Sequence, residues 1–223
     1  MTRRRFPVGK TLLYVFMSLW ALTTIYPFIW VILNSFKPRG LIRSDTFSLP
    51  IGDKFTLENY VTAFKRVDIG TAYVNSIVIS GAVTVVVMVL AGLAAYAMVR
   101  YSFRLRGFLH SMIIASMMFP VFSTIIPVFR MESSWGIVNT GSIWLTRLSV
   151  VLPQIAGNLS FAIIVLMGFI RSLPVDLEEA AYLEGYNVYQ IFFRIIMPLA
   201  KPSFATVGIF TFLWSYHDLF LQM

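Results

Sequence analysis

The sequence has no cysteine among its 223 residues. It therefore forms no disulfide and offers no thiolate for metal binding or nucleophilic attack. Its two histidines, His110 and His217, stand far apart in the chain and leave little for zinc or triad chemistry. No cluster of residues suggests a metal site. Charge is scarce as well: charged residues make up 13% of the chain, against about 25% in an average soluble domain. Hydrophobic residues make up 58%. Few charges and many apolar residues exclude a disordered chain and most soluble enzymes. The net charge of +8 would suit nucleic acid in a polar protein. In a chain this apolar it reads instead as basic residues placed at membrane ends on the cytoplasmic side.

A spanning helix needs roughly 20 mostly apolar residues, and five runs qualify. The first is Leu12 to Ser35, which follows Arg3, Arg4, Arg5 and Lys10. It is longer than the apolar core of a cleaved signal peptide and lacks a small-residue cleavage site, so it reads as a retained span. Pro27 within it is tolerable, because membrane helices accept proline. The second, Ala72 to Val99, is rich in small residues such as Gly81, Ala91 and Gly92, which let helix backbones approach closely. The third, Phe108 to Phe129, is interrupted by Pro120 and Pro127. The fourth lies within Ile143 to Ile170, with Arg147 at its interface end, and the fifth runs from Phe204 to Leu221.

An N-terminus inside the cell puts ten basic residues in cytoplasmic segments and eight outside. The short loop Arg100–Arg106, with three basic residues and no acid, decides the orientation, because short loops weigh most. The 34-residue stretch from Lys37 to Gly70 is then a long outer loop. Within it, Phe-Thr-Leu-Glu-Asn-Tyr at 55–60 reads as a helix start capped by Thr56.

Residues 171–203, between two spans on the inside, carry the most information. Asp176 followed by Glu179 is a capping-box pattern, with Pro174 upstream discouraging an earlier start. Glu178 and Glu179 fall in the first turn, where the helix dipole favours anions. Gly185 suits a residue of positive φ that ends the helix. A second helical stretch follows from Asn187 to Ile196, with Pro198 and Pro202 stopping it. The result is a helix–turn–helix projecting from the membrane. One reading is an amphipathic connector on the lipid surface. Such helices usually carry a basic face, whereas this one has Asp176, Glu178, Glu179 and Glu184. A socket on a partner protein suits it better.

Glu179-Ala180-Ala181, then Gly185, then Ile195-Ile196-Met197-Pro198 resembles the EAA motif of ATP-binding-cassette (ABC) importer permeases, with matching spacing. The chain resembles in particular the carbohydrate-uptake permeases, in the manner of the smaller maltose-type subunit. Other pieces agree: Tyr26-Pro27-Phe28, Asn34-Ser35-Phe36-Lys37, Phe55 to Tyr60, Asn75-Ser76, Ala94-Ala95-Tyr96-Ala97, and Gly136 to Thr140. The resemblance implies an all-α, polytopic membrane protein of the type I ABC importer permease fold. Residues 1–71 would hold the N-terminal cytoplasmic segment, first span and outer loop, and 72–223 the permease core with coupling loop 171–203. It implies no ATPase of its own and no cofactor, ATP being bound by a dimer of separate ATPase subunits. A second homologous permease subunit, an extracytoplasmic solute-binding protein and membrane lipid would be its partners, in the inner cell membrane. Glu178, Glu179, Ala180, Ala181, Glu184, Gly185 and Pro198 would couple the permease to the ATPase.

Three departures stand beside this. Glu184 occupies a place where the family usually has Asp. Tyr216-His217-Asp218 stands where Trp-Asn-Asp is common. The family continues into a sixth span, whereas this sequence ends at Met223; the expectation is a chain one span short, with its last residue outside.

Gly9-Lys10-Thr11 resembles the end of a P-loop, but Arg4 stands where its first glycine is required. Asn158-Leu159-Ser160 is a formal glycosylation sequon inside a span. Asn75, Ser76, Gln154, Asn158 and Ser160 are candidates to line a translocation path, since polar groups in spans face the bundle interior. Each is equally readable as a helix–helix hydrogen bond. Trp214 and Tyr216 read as interface aromatics. The competing function is an ion-coupled secondary carrier, which would place carboxylates inside spans; here every acid lies in a loop or at a span end. An integral-membrane enzyme would need converging catalytic groups, which the sequence does not supply.

Overall fold

The computed structural model describes residues 8–66, 68–138 and 140–218. Asn139, Arg3, Arg4, Arg5 and the last residues of the expected fifth span lie outside the described residues. Among the described residues, all regular structure is helical. The chain divides into two compact units, residues 1–72 and 73–223.

The first unit holds α1 (Val8–Ser35), α2 (Arg39–Ser44), a short 3-10 turn at Gly52–Lys54, and α3 (Glu58–Arg66). Helix α1 passes through Pro27 without a break and exposes apolar side chains all round, from Leu12 to Ile32. A helix apolar on every face belongs in lipid. Its end is tied to the loop that follows it by short-range chemistry. Phe36 stacks on Phe55 at 5.6 Å and packs against Tyr60 at 5.3 Å between ring centroids. The Asn59 side-chain amide donates to the carbonyls of Lys37 (2.7 Å) and Ser35 (2.9 Å), the second being one of those that a helix end leaves without partners. The Lys37 ammonium is fully buried and donates to the carbonyls of Asp45 (3.0 Å) and Thr46 (2.8 Å). Helix α3 begins at Glu58, so Leu57 rather than Thr56 precedes its first turn, yet the Thr56 hydroxyl still accepts the Glu58 N–H at 3.1 Å.

The second unit is built on α4 (Ile69–Arg100) and α7 (Ile143–Ser172), with α5 (Arg106–Ser116) and α6 (Val121–Ser134) between them in sequence. Then come α8 (Asp176–Leu183), α9 (Val188–Ile191), a π-helical turn (Phe192–Ile196), α10 (Met197–Leu199) and α11 (Lys201–His217). The core is drawn from one stripe of α4 (Val83, Val87, Ala91, Ala95), one of α7 (Ala162, Leu166, Ile170), the segment around the π-helical turn (Ile191, Phe192, Ile196) and α11 (Val207). Small residues set its closest approaches. A Cβ on Gly92 would lie 2.8 Å from the Phe204 ring and 2.9 Å from the Phe192 ring. One on Gly208 would lie 3.2 Å from the Met88 sulfur.

Among the described residues, three helices are long and apolar enough to cross a membrane: Gly9–Ser35, Ile69–Arg100 and Ile143–Ser172. A fourth arises if Val188–Leu199 and Lys201–His217, bent by 82°, count as one. The expected third span is divided into α5 and α6 instead. Pro120 sits at the break in an extended conformation, with φ −69° and ψ 128°, and it lacks the N–H that would continue α5. Pro127 is carried inside α6. The expected fifth span appears as α11, which begins at Lys201 and is 17 residues long.

Candidate functional site

The segment from Leu173 to Leu199 forms a hairpin of helices. Leu173 is extended (ψ 133°) ahead of Pro174, as the clash with a following proline ring requires. Val175 is already helical, at φ −70° and ψ −29°. Asp176 therefore lies inside α8 rather than at its cap, and its side chain makes no capping hydrogen bond. The Asp176–Glu179 capping box is not formed. The three acids still occupy the first turn, where the dipole favours them.

The end of α8 is as the sequence requires. Gly185 has φ +87°, the Tyr186 N–H bonds to Ala181 O at 3.0 Å and the Gly185 N–H to Tyr182 O at 3.0 Å. These two bonds are a Schellman motif. Asn187 then caps α9: its side chain accepts the Gln190 N–H at 2.9 Å and the Gln190 side chain accepts the Asn187 N–H at 2.8 Å. The helix does not stop at Pro198. A π-helical turn intervenes, with the Met197 N–H reaching back five residues to Phe192 O, and Pro198 sits within α10. Proline removes the bond to the residue four back and crowds its carbonyl; widening the preceding turn accommodates this. The chain changes direction at Ala200 instead.

The motif residues divide sharply between two faces of α8. Glu179, Ala180, Glu184 and Gly185 are exposed, and Leu183 at the tip is 90% exposed. Glu178 and Ala181 are buried. The Glu178 carboxylate takes the Arg100 Nε at 2.5 Å and the Tyr96 hydroxyl at 2.8 Å. Arg100 also donates through a terminal nitrogen to Leu173 O at 2.9 Å. The Tyr101 and Tyr182 hydroxyls meet at 2.9 Å. Of the residues expected to face a partner, Glu178 and Ala181 thus face α4 or the core instead. No sequence pattern pointed to Arg100 and Tyr96, which lie 78 and 82 residues away from Glu178.

The intramembrane polar residues divide too. Asn75 accepts from Arg147 at 2.7 Å, and Ser160 shares a 2.5 Å hydrogen bond with Ser116; Ser76 is half-buried on α4. Gln154 and Asn158 lie together against a cavity of about 570 Å³ that is also lined by Thr124, Val128, Gly157, Trp214 and Asp218. The Gln154 carbonyl accepts the Ser215 hydroxyl, and the Asn158 amide donates to Gln154 O at 2.8 Å. Among the described residues, Gln154 Nε2 and Asn158 Oδ1 find no hydrogen-bond partner. Trp214, which reads as an interface aromatic in the sequence, is on the cavity wall and packs edge-on against Phe161 at 4.9 Å. The described residues hold no group of three acids or histidines that could bind a metal.

Residues 87–222, which contain the whole hairpin and the cavity, match the family described as binding-protein-dependent transport system inner membrane component. The chain belongs to this family. It is 34% identical over 210 residues to the diacetylchitobiose uptake system permease protein of Streptomyces coelicolor, across 94% of this chain and 67% of that protein. To the trehalose transport system permease protein SugB of Mycobacterium tuberculosis it is 33% identical over 199 residues, across 89% of this chain and 69% of that protein. The fold is shared with a crystal structure of a bacterial ABC transporter involved in import of the acidic polysaccharide alginate: TM-score 0.77, 23% identity, 98% of this chain and 74% of the other. The protein is a membrane-embedded permease subunit of an ABC importer, like the transport permeases it matches. Membership of this inner-membrane family favours that reading over an ion-coupled carrier.

Proposed function

We propose that this permease passes a sugar or related polar solute across the inner membrane, with α8 seated in a socket on a separate ATPase dimer. The carrying observation is the open face of α8. Glu179, Ala180, Leu183, Glu184 and Gly185 are exposed around a turn whose backbone hydrogen bonds are already satisfied. Small residues permit close approach, Leu183 supplies an apolar anchor, and the two acids suit basic groups in the socket. Pro198 acts through the π-helical turn that it accompanies, setting the direction of the second arm. A second permease subunit completes the pathway, a binding protein delivers solute from outside, and the N-terminus lies in the cytoplasm. The relatives' diacetylchitobiose and trehalose give the solute class. The Gln154–Asn158 cavity, with unpaired amide atoms and Trp214 in its wall, has the chemistry for a polyhydroxylated ring.

Reconstitution with the ATPase, second permease and binding protein of the same operon tests this. Labelled trehalose, diacetylchitobiose and melibiose are offered in turn. ATP-dependent uptake of at least one, abolished in Gly185→Asp with the complex still assembled, is expected. Uptake driven by a proton gradient without ATP, or full transport by Gly185→Asp, would overturn it.

A further inference from the structure

The contacts behind α8 have a role that the open face does not supply. Gly92, Tyr96 and Arg100 are spaced four apart on α4 and so lie on one stripe of that helix. The Phe192 ring, from the second arm of the hairpin, packs over Gly92, where an added Cβ would meet it at 2.9 Å. It also lies 5.7 Å from the Tyr96 ring. Glu178, from the first arm, takes the Tyr96 hydroxyl with one carboxylate oxygen and Arg100 with the other. Arg100 in turn holds Leu173 O, at the extended link through which α8 joins α7. One stripe of α4 therefore grips both arms and the hinge at their base. The ion pair is buried, with side-chain exposures of 11% for Arg100 and 5% for Glu178. A buried pair adds little stability over an apolar pair of the same volume. Its fixed hydrogen-bond directions instead define one position where an apolar contact such as Ala181 would let the helix slide or turn.

We infer that the Tyr96–Arg100–Glu178 cluster is a clamp that makes α8 and α4 move as one body, so that a displacement of α8 is carried along the 32-residue α4 instead of being absorbed at Leu173–Pro174. Glu178 is then a positioning residue for coupling, set apart from the socket-facing Glu179. This rests on the proposed seating of α8 in an ATPase.

The test uses the assembled transporter in proteoliposomes. The chain has no cysteine, so with the partner subunits' own cysteines replaced a Leu177→Cys, Leu90→Cys pair reports the α8–α4 distance alone when spin-labelled. With Glu178 present, one narrow distance distribution is expected, the same without nucleotide and with Mg·ATP plus vanadate. Glu178→Gln should broaden it, and binding-protein stimulation of ATP hydrolysis should fall about tenfold, within the usual size of coupling between sites. Exchange of the charges, Glu178→Arg with Arg100→Glu, re-forms the ion pair without the Arg100 bond to Leu173 O and should narrow the distribution again only in part. If Glu178→Gln does not assemble, Tyr96→Phe removes a single hydroxyl and should broaden the distribution to a lesser degree. A variant distribution as narrow as the original, or an original distance that shifts with nucleotide, overturns the clamp. A merely structural role would lower the amount of complex and leave distance and stimulation per complex unchanged. Failure of the ATPase to associate at all would refute the proposed function instead, and the nucleotide-free comparison would still decide the clamp.

Discussion

The loop after α1 and the hairpin of α8 and α9 both bring motif residues to a helix end, yet they use them differently. In the loop, Ser35 to Lys37 and Phe55 to Tyr60 are spent on contacts within the same region. Ring stacking, the Asn59 amide and the buried Lys37 ammonium close the region on itself. In the hairpin, one face of α8 is closed in the same way through Glu178, while the other presents Glu179, Ala180, Leu183 and Glu184 to the outside. A motif can thus mark self-closure or an open surface, and only the partners of each side chain tell which. Two adjacent glutamates, Glu178 and Glu179, fall on opposite sides of that division.

The largest expected effect sharpens this contrast. Glu178→Ala strands the Arg100 guanidinium in a buried position and should cost about 3–5 kcal/mol, whereas Glu179→Ala should stay within about 0.5 kcal/mol of the parent. Thermal unfolding of the detergent-solubilised permease checks both. Next comes Gly92→Leu, which drives a side chain into the Phe192 and Phe204 rings. Overpacking of this kind costs about 1–3 kcal/mol, and the same measurement should show it. In the loop after α1, Asn59→Ala removes the donor shared by the Ser35 and Lys37 carbonyls. A loss of about 1–3 kcal/mol is expected, read as faster hydrogen exchange at residues 34–60 with none at the hairpin.

The smallest effect concerns the pH response of the same loop. The hydrogen bond from Lys54, with a lesser one from Ser48, holds the exposed Asp45 carboxyl below its ordinary value. A carboxyl lowered in the folded state stabilises fully above its unfolded value, and the contribution is lost as pH falls through the folded one. Amide protection across residues 45–54 should therefore fall on acidification below the ordinary carboxylate range. Lys54→Met should already have lost it at neutral pH.

Much of this was legible in the sequence because it is local. The apolar runs of α1, α4 and α7 exceed the membrane thickness, and Gly185 three residues beyond Tyr182 announces a left-handed turn. The EAA spacing by itself points to a permease. The rest depended on pairs distant in sequence or on a choice between similar local signals. Asp176-x-x-Glu179 and Asn187-x-x-Gln190 carry the same capping pattern, yet only the second forms, because Val175 enters the helix first and leaves Asp176 inside it. Pro198 reads as a stop, but a π-helical turn accommodates it. Pro120 and Pro127 both read as interruptions of the third run, yet the chain breaks at Pro120 and carries Pro127 inside α6. Of the polar span residues, Gln154 and Asn158 reach the cavity while Asn75 and Ser160 are taken by Arg147 and Ser116; composition cannot sort these, since each depends on which helix lies opposite.

The division of α8 into a closed and an open face can be measured residue by residue, because the chain has no cysteine of its own. Single cysteines at Glu178, Glu179, Ala180, Ala181, Leu183 and Glu184 would be exposed to a hydrophilic maleimide in inverted membranes. Cysteines at 179, 180, 183 and 184 should label readily in the permease without its ATPase and become protected once the ATPase is added, and those at 178 and 181 should label slowly in both. Equal labelling at Ala180→Cys and Ala181→Cys, or no protection of the exposed set by the ATPase, would contradict the account.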